Sequence, residues 1–349
     1  MLKPKNSLFM LISLLLTAGL ITGISGLTLL KLGVISPENF SIFSTGSSFS
    51  DLELTTVADL DEVENIPEGL FNYGGSTSWI PIQTAVNPII EVVFPRFILR
   101  YTKPVNGKPG SGTGIKMLLN NQLSFSLSSR SLKAEEYQQG KNQGLTLKEI
   151  PVAIDAIAIA VHPELNLSGL TISQLKQIYR GKIINWSQVG GPDLPITPYS
   201  RSALDSGTVE FFGENVLENE AFSDKVIRVA TTTEGLQKLS QNRGGIYYAS
   251  APEIIPQCTI KALSIGRNLG EWISPYQEPF IPLSQCPTQR NQVNKAAFRS
   301  GDYPITRRLF VIVKRNNSID AKAGIAYANL LLTQEGQNLI NRAGFVSLR

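Results

Sequence analysis

The apolar positions of this chain fall into three regimes. From Asn6 to Leu30 no charge interrupts NSLFMLISLLLTAGLITGISGLTLL, 25 residues where a helix needs only about 20 to cross a ~30 Å hydrocarbon layer. Residues 32–65 are polar and acidic, with Ser and Thr clusters. From Phe71 onward, short β-branched runs alternate with Gly/Ser/Thr turns and segments at helical spacing. IPVAIDAIAIAV (Ile150 to Val161) and LFVIV (Leu309 to Val313) are continuous apolar runs of the kind buried strands show, and HPEL ends the first with a turn. Thr171-x-x-Gln174 ahead of Leu175, Ile178 and Tyr179 is a capping box, and Gly181 closes that helix. Val209, Phe212 and Val216 share a helical face, and Ile325, Leu330 to Leu332, Leu339 and Ile340 predict one helix closing at Gly344. Pro88 is expected to kink or shorten the helix that contains it. The alternation gives an α/β class.

The first regime has no A-x-A cleavage site and no lipobox Cys, which favours an uncleaved signal anchor over residues 1–31 against a cleaved secretory signal. Lys3 and Lys5 precede the run and place the N-terminus in the cytoplasm, although Lys31 beyond it weakens the asymmetry. Either reading exports the body to the extracytoplasmic or periplasmic side. Residues 32–65, whose end falls inside the acidic run DLDEVENIPEG (59–69), are expected to be a flexible acidic stalk. The alternating apolar residues of DLELTTVADL keep open an ordinary packed element there.

Charge sharpens this division. The chain of 349 residues is 42% apolar and 17% charged, enough for about two domains at ~150 residues each. Its net charge of +4 hides an acidic stretch, since Leu32 to Glu68 holds eight acids and no base. From Gly69 onward there are 29 basic and 20 acidic residues, a field that favours an anionic ligand. A basic body alone does not mean nucleic acid, and none is expected. No G-x-S-x-G occurs, His162 is the sole imidazole, and metal ligands do not cluster, so no catalytic residue, metal or cofactor is expected. Cys258 and Cys286 enclose 27 residues; in an exported body they are candidates for a disulfide worth ~3–4 kcal/mol, with two buried thiols as the alternative.

The chemistry concentrates in four loops: Gly74 to Ser78, Gly110 to Gly114, Ser128 to Ser131, and Ser200-Arg201 with Asp205 to Thr208. Each joins hydroxyl side chains to glycine or arginine, and three lead into helical spacing. Glycine admits close backbone approach, the first amides of a helix lack internal partners, and the helix dipole there favours negative charge. Arg201 adds a planar bidentate donor that Asp205 is placed to orient, and Arg130 either adds charge or pairs with Glu135 or Glu136 at the surface. GSGTGIKM lacks the spacing of a P-loop or a dinucleotide fingerprint.

At these loops, and through IYRGKIINW (Ile178 to Trp186) and YPITRRLFVIV, the chain resembles the solute-binding proteins of phosphate ABC importers, the PstS-like branch of the type 2 periplasmic binding proteins. The resemblance covers nearly all of Phe71 to Leu348. It implies two α/β lobes, 66–152 plus 309–349 and 153–308, joined by crossing strands near Ala153 to Val161 and Ile305 to Val313, with the ligand cleft between them. Carried over position by position, Thr77, Ser111, Ser129, Arg201, Ser206, Gly207 and Thr208 would contact inorganic phosphate, with Ser76 and Ser128 adjacent. An ABC permease is the implied partner. A membrane-tethered sensor or storage protein, or a binder of sulfate, molybdate or tungstate, are the alternatives, with a hydrolase behind them. Two departures stand out: Ser129-Arg130 replaces the third-loop Asp found in one branch, and one extra residue separates Arg201 from Ser206. The missing carboxylate would have accepted the proton that phosphate carries and sulfate lacks.

Overall fold

The apolar run from Ile150 to Val161 lies within the longest strand, β4 (Leu147–Val161), and the second run within β10 (Thr306–Lys314). The computed structural model describes residues 57–202, 206–286 and 288–348. β4 and β10 pair antiparallel along nearly all of β10, with a register shift between Leu309 and Phe310, and they carry the chain between two cores. Ile150, Val152 and Ala153 of β4, with Leu309, Val311 and Val313 of β10, belong to one core; Ala156 to Val161 and Ile305 belong to the other.

The first core lies under β1 (Gly69–Gly75), β2 (Phe97–Tyr101) and β3 (Phe125–Ser128). β1 is parallel to both its neighbours, and β3 meets β10 antiparallel. Helices α1 (Ile80–Val93), α2 (Ser111–Leu119) and α3 (Ala134–Asn142) alternate with these strands. The second core follows β4 into β5 (Gly169–Thr171), α4 (Ile172–Tyr179), β6 (Thr197–Arg201), α5 (Gly207–Asn215) and β7 (Ile227–Val229). It continues in α6 (Thr232–Ser240), β8 (Gly245–Ser250), the single turn α7 (Ala251–Ile254), β9 (Lys261–Gly266) and α8 (Lys295–Ser300). β8 is antiparallel to β4 and parallel to β6. After β10 the chain returns to the first core with α9 (Ile319–Leu332), α10 (Gln334–Arg342) and the short β11 (Val346–Ser347), which pairs with β4.

Local signals account for these boundaries. Gln174 N–H donates to Thr171 Oγ1 at 3.1 Å and Thr171 N–H to Gln174 Oε1 at 2.9 Å, so the capping box forms as expected. The single C-terminal helix does not. Thr333 adopts an extended ψ of 160°, and its hydroxyl accepts from Gly336 N–H at 2.9 Å, ending α9 and starting α10. Nor does Pro88 shorten its helix, since α1 runs through it to Val93.

The described end of the expected stalk, residues 57–65, packs on the body. Leu60 and Val63 are buried in the first core, and Gln334 and Glu335 donate their amides to Val57 and Ala58 carbonyls at 3.3 and 2.9 Å. Apolar side chains and backbone hydrogen bonds together hold this acidic segment on the core. The proposed anchor and the rest of the stalk lie outside the described residues, among which no helix is long and apolar enough to cross a membrane. Cys258 and Cys286 are joined as a disulfide with Cα atoms 5.7 Å apart, which resolves the alternatives left by their spacing.

Candidate functional site

The four hydroxyl loops meet at the seam between the two cores. β1 delivers Ser76, whose hydroxyl accepts from Ser78 N–H at 3.3 Å and caps the 3-10 turn Thr77–Trp79 leading into α1. Gly114 of α2 rests on that loop; a Cβ there would stand 2.5 Å from Gly75 Cα, so glycine lets the α2 N-terminus reach it. Ser111 opens α2, Ser129 follows β3, and Ser206 is the N-cap of α5. Three helical N-termini thus face one place, with Ser76, Ser111, Ser129 and Ser206 buried.

Hydrogen bonds tie the loops together. Ser76 Oγ donates to Ser129 Oγ at 2.9 Å, Ser111 and Ser129 hydroxyls lie 3.2 Å apart, and Ser129 N–H donates to Ser111 Oγ at 3.1 Å. Across the seam, Gly207 lies so close that a Cβ would stand 2.6 Å from Ser129 Oγ and nearer still to Ser111 Oγ. Thr208 Oγ1 is 3.1 Å from Ser78 Oγ, and Arg201 Nη1 donates to Thr77 Oγ1 at 3.3 Å. Ser128 points elsewhere: its hydroxyl donates to the Arg130 carbonyl at 2.6 Å, inside its own turn. Asp205 lies outside the described residues.

The most deeply buried ion pair among the described residues was not among those singled out in the sequence. Arg307 of β10 and Asp155 of β4 form an ion pair with side chains only 1% and 0% exposed. Arg307 donates to Asp155 Oδ2 through Nε at 2.9 Å and Nη2 at 2.7 Å, and Nη2 also reaches Ser78 Oγ and Thr208 Oγ1, each at 3.0 Å. Arg307 Nη1 is buried without a hydrogen-bond partner among the described residues. Asp155 Oδ1 in turn accepts from Ala156 N–H at 2.8 Å and from Ser250 Oγ at 2.7 Å. One guanidinium on a crossing strand therefore touches hydroxyls from both sides of the seam.

Arg130 was expected at the surface if it paired with Glu136. It does pair with Glu136, at 2.8 Å, but it is buried, and its Nε also meets Glu210 of α5 at 2.5 Å. Burial alone would lower the Arg130 pKa, yet the two carboxylates outweigh it and hold the guanidinium above its ordinary value. Lys133 and Glu214, 3.0 Å apart, add a more exposed pair across the same seam.

A small cavity adjoins the cluster, with Thr77, Ser78, Arg201, Ser206, Thr208, Thr232, Tyr247 and Glu253 among its lining residues. Burial pushes the Tyr247 hydroxyl up to about 12, so it stays neutral. It also pushes the Glu253 carboxyl up, with Asp155 adding to the rise and Thr232, Arg201 and Arg307 opposing it. The arrangement offers rotatable hydroxyls, helix-terminal amides and two guanidinium groups, a set suited to gripping an oxyanion.

Residues 74–335 match the PBP superfamily domain, and the chain belongs to that superfamily, with its two-lobe α/β fold. Among individual relatives, the phosphate-binding protein PstS of Borreliella burgdorferi is 28% identical over 285 residues, covering 81% of this chain and 91% of its own. A Clostridium perfringens protein solved with bound phosphate superposes with a TM-score of 0.64 at 24% identity, over 80% of this chain and all of its own. An ABC-type phosphate transport receptor from Vibrio cholerae gives 0.60 at 21%, over 79% of this chain and 99% of its own.

Proposed function

We propose that this protein captures inorganic phosphate on the extracytoplasmic side of the membrane and hands it to an ABC import permease. The observation that carries the reading is the convergence of Ser76, Thr77, Ser111, Ser129, Ser206, Gly207 and Thr208, with Arg201, where three helix N-termini meet. The phosphate-binding names of its relatives point the same way. Lobe 1 is 66–152 plus 309–349 and lobe 2 is 153–308, with β4 and β10 as the hinge; the change of core between Ala153 and Ala156 and between Ile305 and Leu309 supports a division close to this one, and Leu60 and Val63 add the preceding segment to lobe 1. The uncharged run from Asn6 to Leu30 tethers the body as a single-pass anchor.

No bond is made or broken. Contacts available only when the lobes are together shift the population toward closure, and opening releases the ion. Calorimetry of the full chain with phosphate, sulfate, arsenate and molybdate tests this. Phosphate is expected to bind, and Arg201→Ala and Thr208→Ala to weaken it at least tenfold; equal weak heats for all four anions would reject the assignment.

The Arg130–Glu210 pair gives a kinetic expectation. Glu210→Gln leaves Arg130 its Glu136 partner but removes the charge from the seam contact, so it is expected to speed phosphate release about tenfold in stopped-flow while leaving the association rate within about twofold. An unchanged release rate would show that the pair does not restrain opening.

A further inference from the structure

We propose that Glu253 is the hydrogen-bond acceptor that makes this site prefer a protonated oxyanion, phosphate, over a fully ionised one, sulfate. The inference rests on the phosphate-binding reading and adds the residue that sets its selectivity.

The groups already described cannot make that distinction. Arginine and backbone amides only donate, and serine or threonine hydroxyls turn to donate toward whichever oxygen faces them, so all of them serve both anions. Rejecting sulfate needs a group that only accepts. Against a sulfate oxygen such a group sets lone pair against lone pair with no proton between, whereas phosphate supplies one. The third loop holds Ser129, a hydroxyl that bonds Ser76 and Ser111.

Three described carboxylates lie close to the cluster, and two are committed. Asp155 receives four donors, two on each oxygen: Arg307 Nε and Nη2 on Oδ2, Ala156 N–H and Ser250 Oγ on Oδ1. Glu210 is held by Arg130 across the seam. Glu253 instead lines the cavity itself, with Thr77, Ser78, Arg201, Ser206 and Thr208. It projects from the short turn α7 directly after β8, so a strand end fixes its position. The Thr232 hydroxyl on α6 favours its ionised form, and the carboxyl keeps acceptor capacity for a ligand hydroxyl. The charged and titratable groups facing it are Arg201 on β6, Arg307 on β10, Asp155 on β4 and Tyr247 on β8. Burial is the largest influence and raises the carboxyl, with Asp155 adding to it, while Arg201 and Arg307 oppose the rise by favouring the ionised, accepting form.

The test is competitive binding of inorganic phosphate and sulfate to the full chain carrying Glu253→Gln or Glu253→Ala, with Asp205→Asn alongside. Glu253→Gln exchanges one acceptor oxygen for a donor, so sulfate binding should strengthen; Glu253→Ala removes the acceptor, so phosphate binding should weaken. In both, the phosphate-to-sulfate affinity ratio is expected to fall at least tenfold, with melting temperature in anion-free buffer checking that each variant folds. In the wild type the ratio should also fall as pH drops through the raised range of this carboxyl, and Glu253→Gln should lose that part of the pH dependence while keeping the part that comes from phosphate's own titration. An unchanged ratio in both Glu253 variants, or a collapse confined to Asp205→Asn, overturns the proposal. Absence of phosphate binding in the wild type would instead reject the reading on which it rests.

Discussion

Gly207→Ala is expected to weaken phosphate binding at least 100-fold, about 2.7 kcal/mol, while the melting temperature without phosphate stays within a few degrees. The reason is steric and lies across the seam. The added methyl would sit 2.6 Å from Ser129 Oγ and closer to Ser111 Oγ, so either the lobes remain apart or both serines abandon their positions. Rotating them is not free, because Ser111 Oγ accepts from Ser129 N–H and Ser129 Oγ accepts from Ser76. Each escape removes donors from the anion. The helix itself is untroubled, since alanine is a better helix former than glycine at the start of α5. Titration calorimetry paired with thermal denaturation checks both halves of the expectation, and wild-type affinity would show that these loops do not close around the ligand.

Asp155→Ala is expected to produce the largest loss of stability, roughly 3–5 kcal/mol, because it leaves the Arg307 guanidinium buried and uncompensated. At roughly 2–4 °C per kcal/mol for a domain of this order, the melting temperature should fall by about 10 °C. Ser250 and the Ala156 amide lose their acceptor as well. A double substitution, Asp155→Leu with Arg307→Met, is expected to recover most of that stability, since no charge is then stranded. Phosphate affinity should not recover with it, because Arg307 also holds Ser78 and Thr208. Denaturation followed by circular dichroism separates the outcomes: equal loss in the single and double variants would mean that stranded charge is not the cause.

The same ion pair shows where the sequence was readable and where it was not. The apolar runs in β4 and β10 declared themselves as strands, and Thr171 with Gln174 declared a helix start, because those signals are local. The glycine and hydroxyl loops were legible for the same reason. Asp155 and Arg307 are separated by 152 positions, and neither stands in a loop. A signal did exist: a lone carboxylate inside IPVAIDAIAIAV must be paired if that strand is buried, and the arginines of YPITRRLF are the cations on the strand expected to cross it. Arg130 failed for a related reason. Its second partner, Glu210, belongs to the other core, so sequence proximity showed only Glu136 and suggested an exposed pair. Thr333 was hidden differently, inside an apolar pattern that runs on while a hydroxyl quietly restarts the helix.

The bonding among Ser76, Ser111 and Ser129 has a thermodynamic consequence. These hydroxyls are already satisfied by one another, so an incoming oxygen does not meet bare donors but enters an exchange reaction. Each exchange is worth the difference between a hydroxyl–hydroxyl bond and a charge-assisted one, on the order of 1 kcal/mol rather than the full strength of either. Each contact in this cluster therefore adds little affinity by itself. Discrimination between similar anions then turns on any oxygen for which the exchange has no favourable direction.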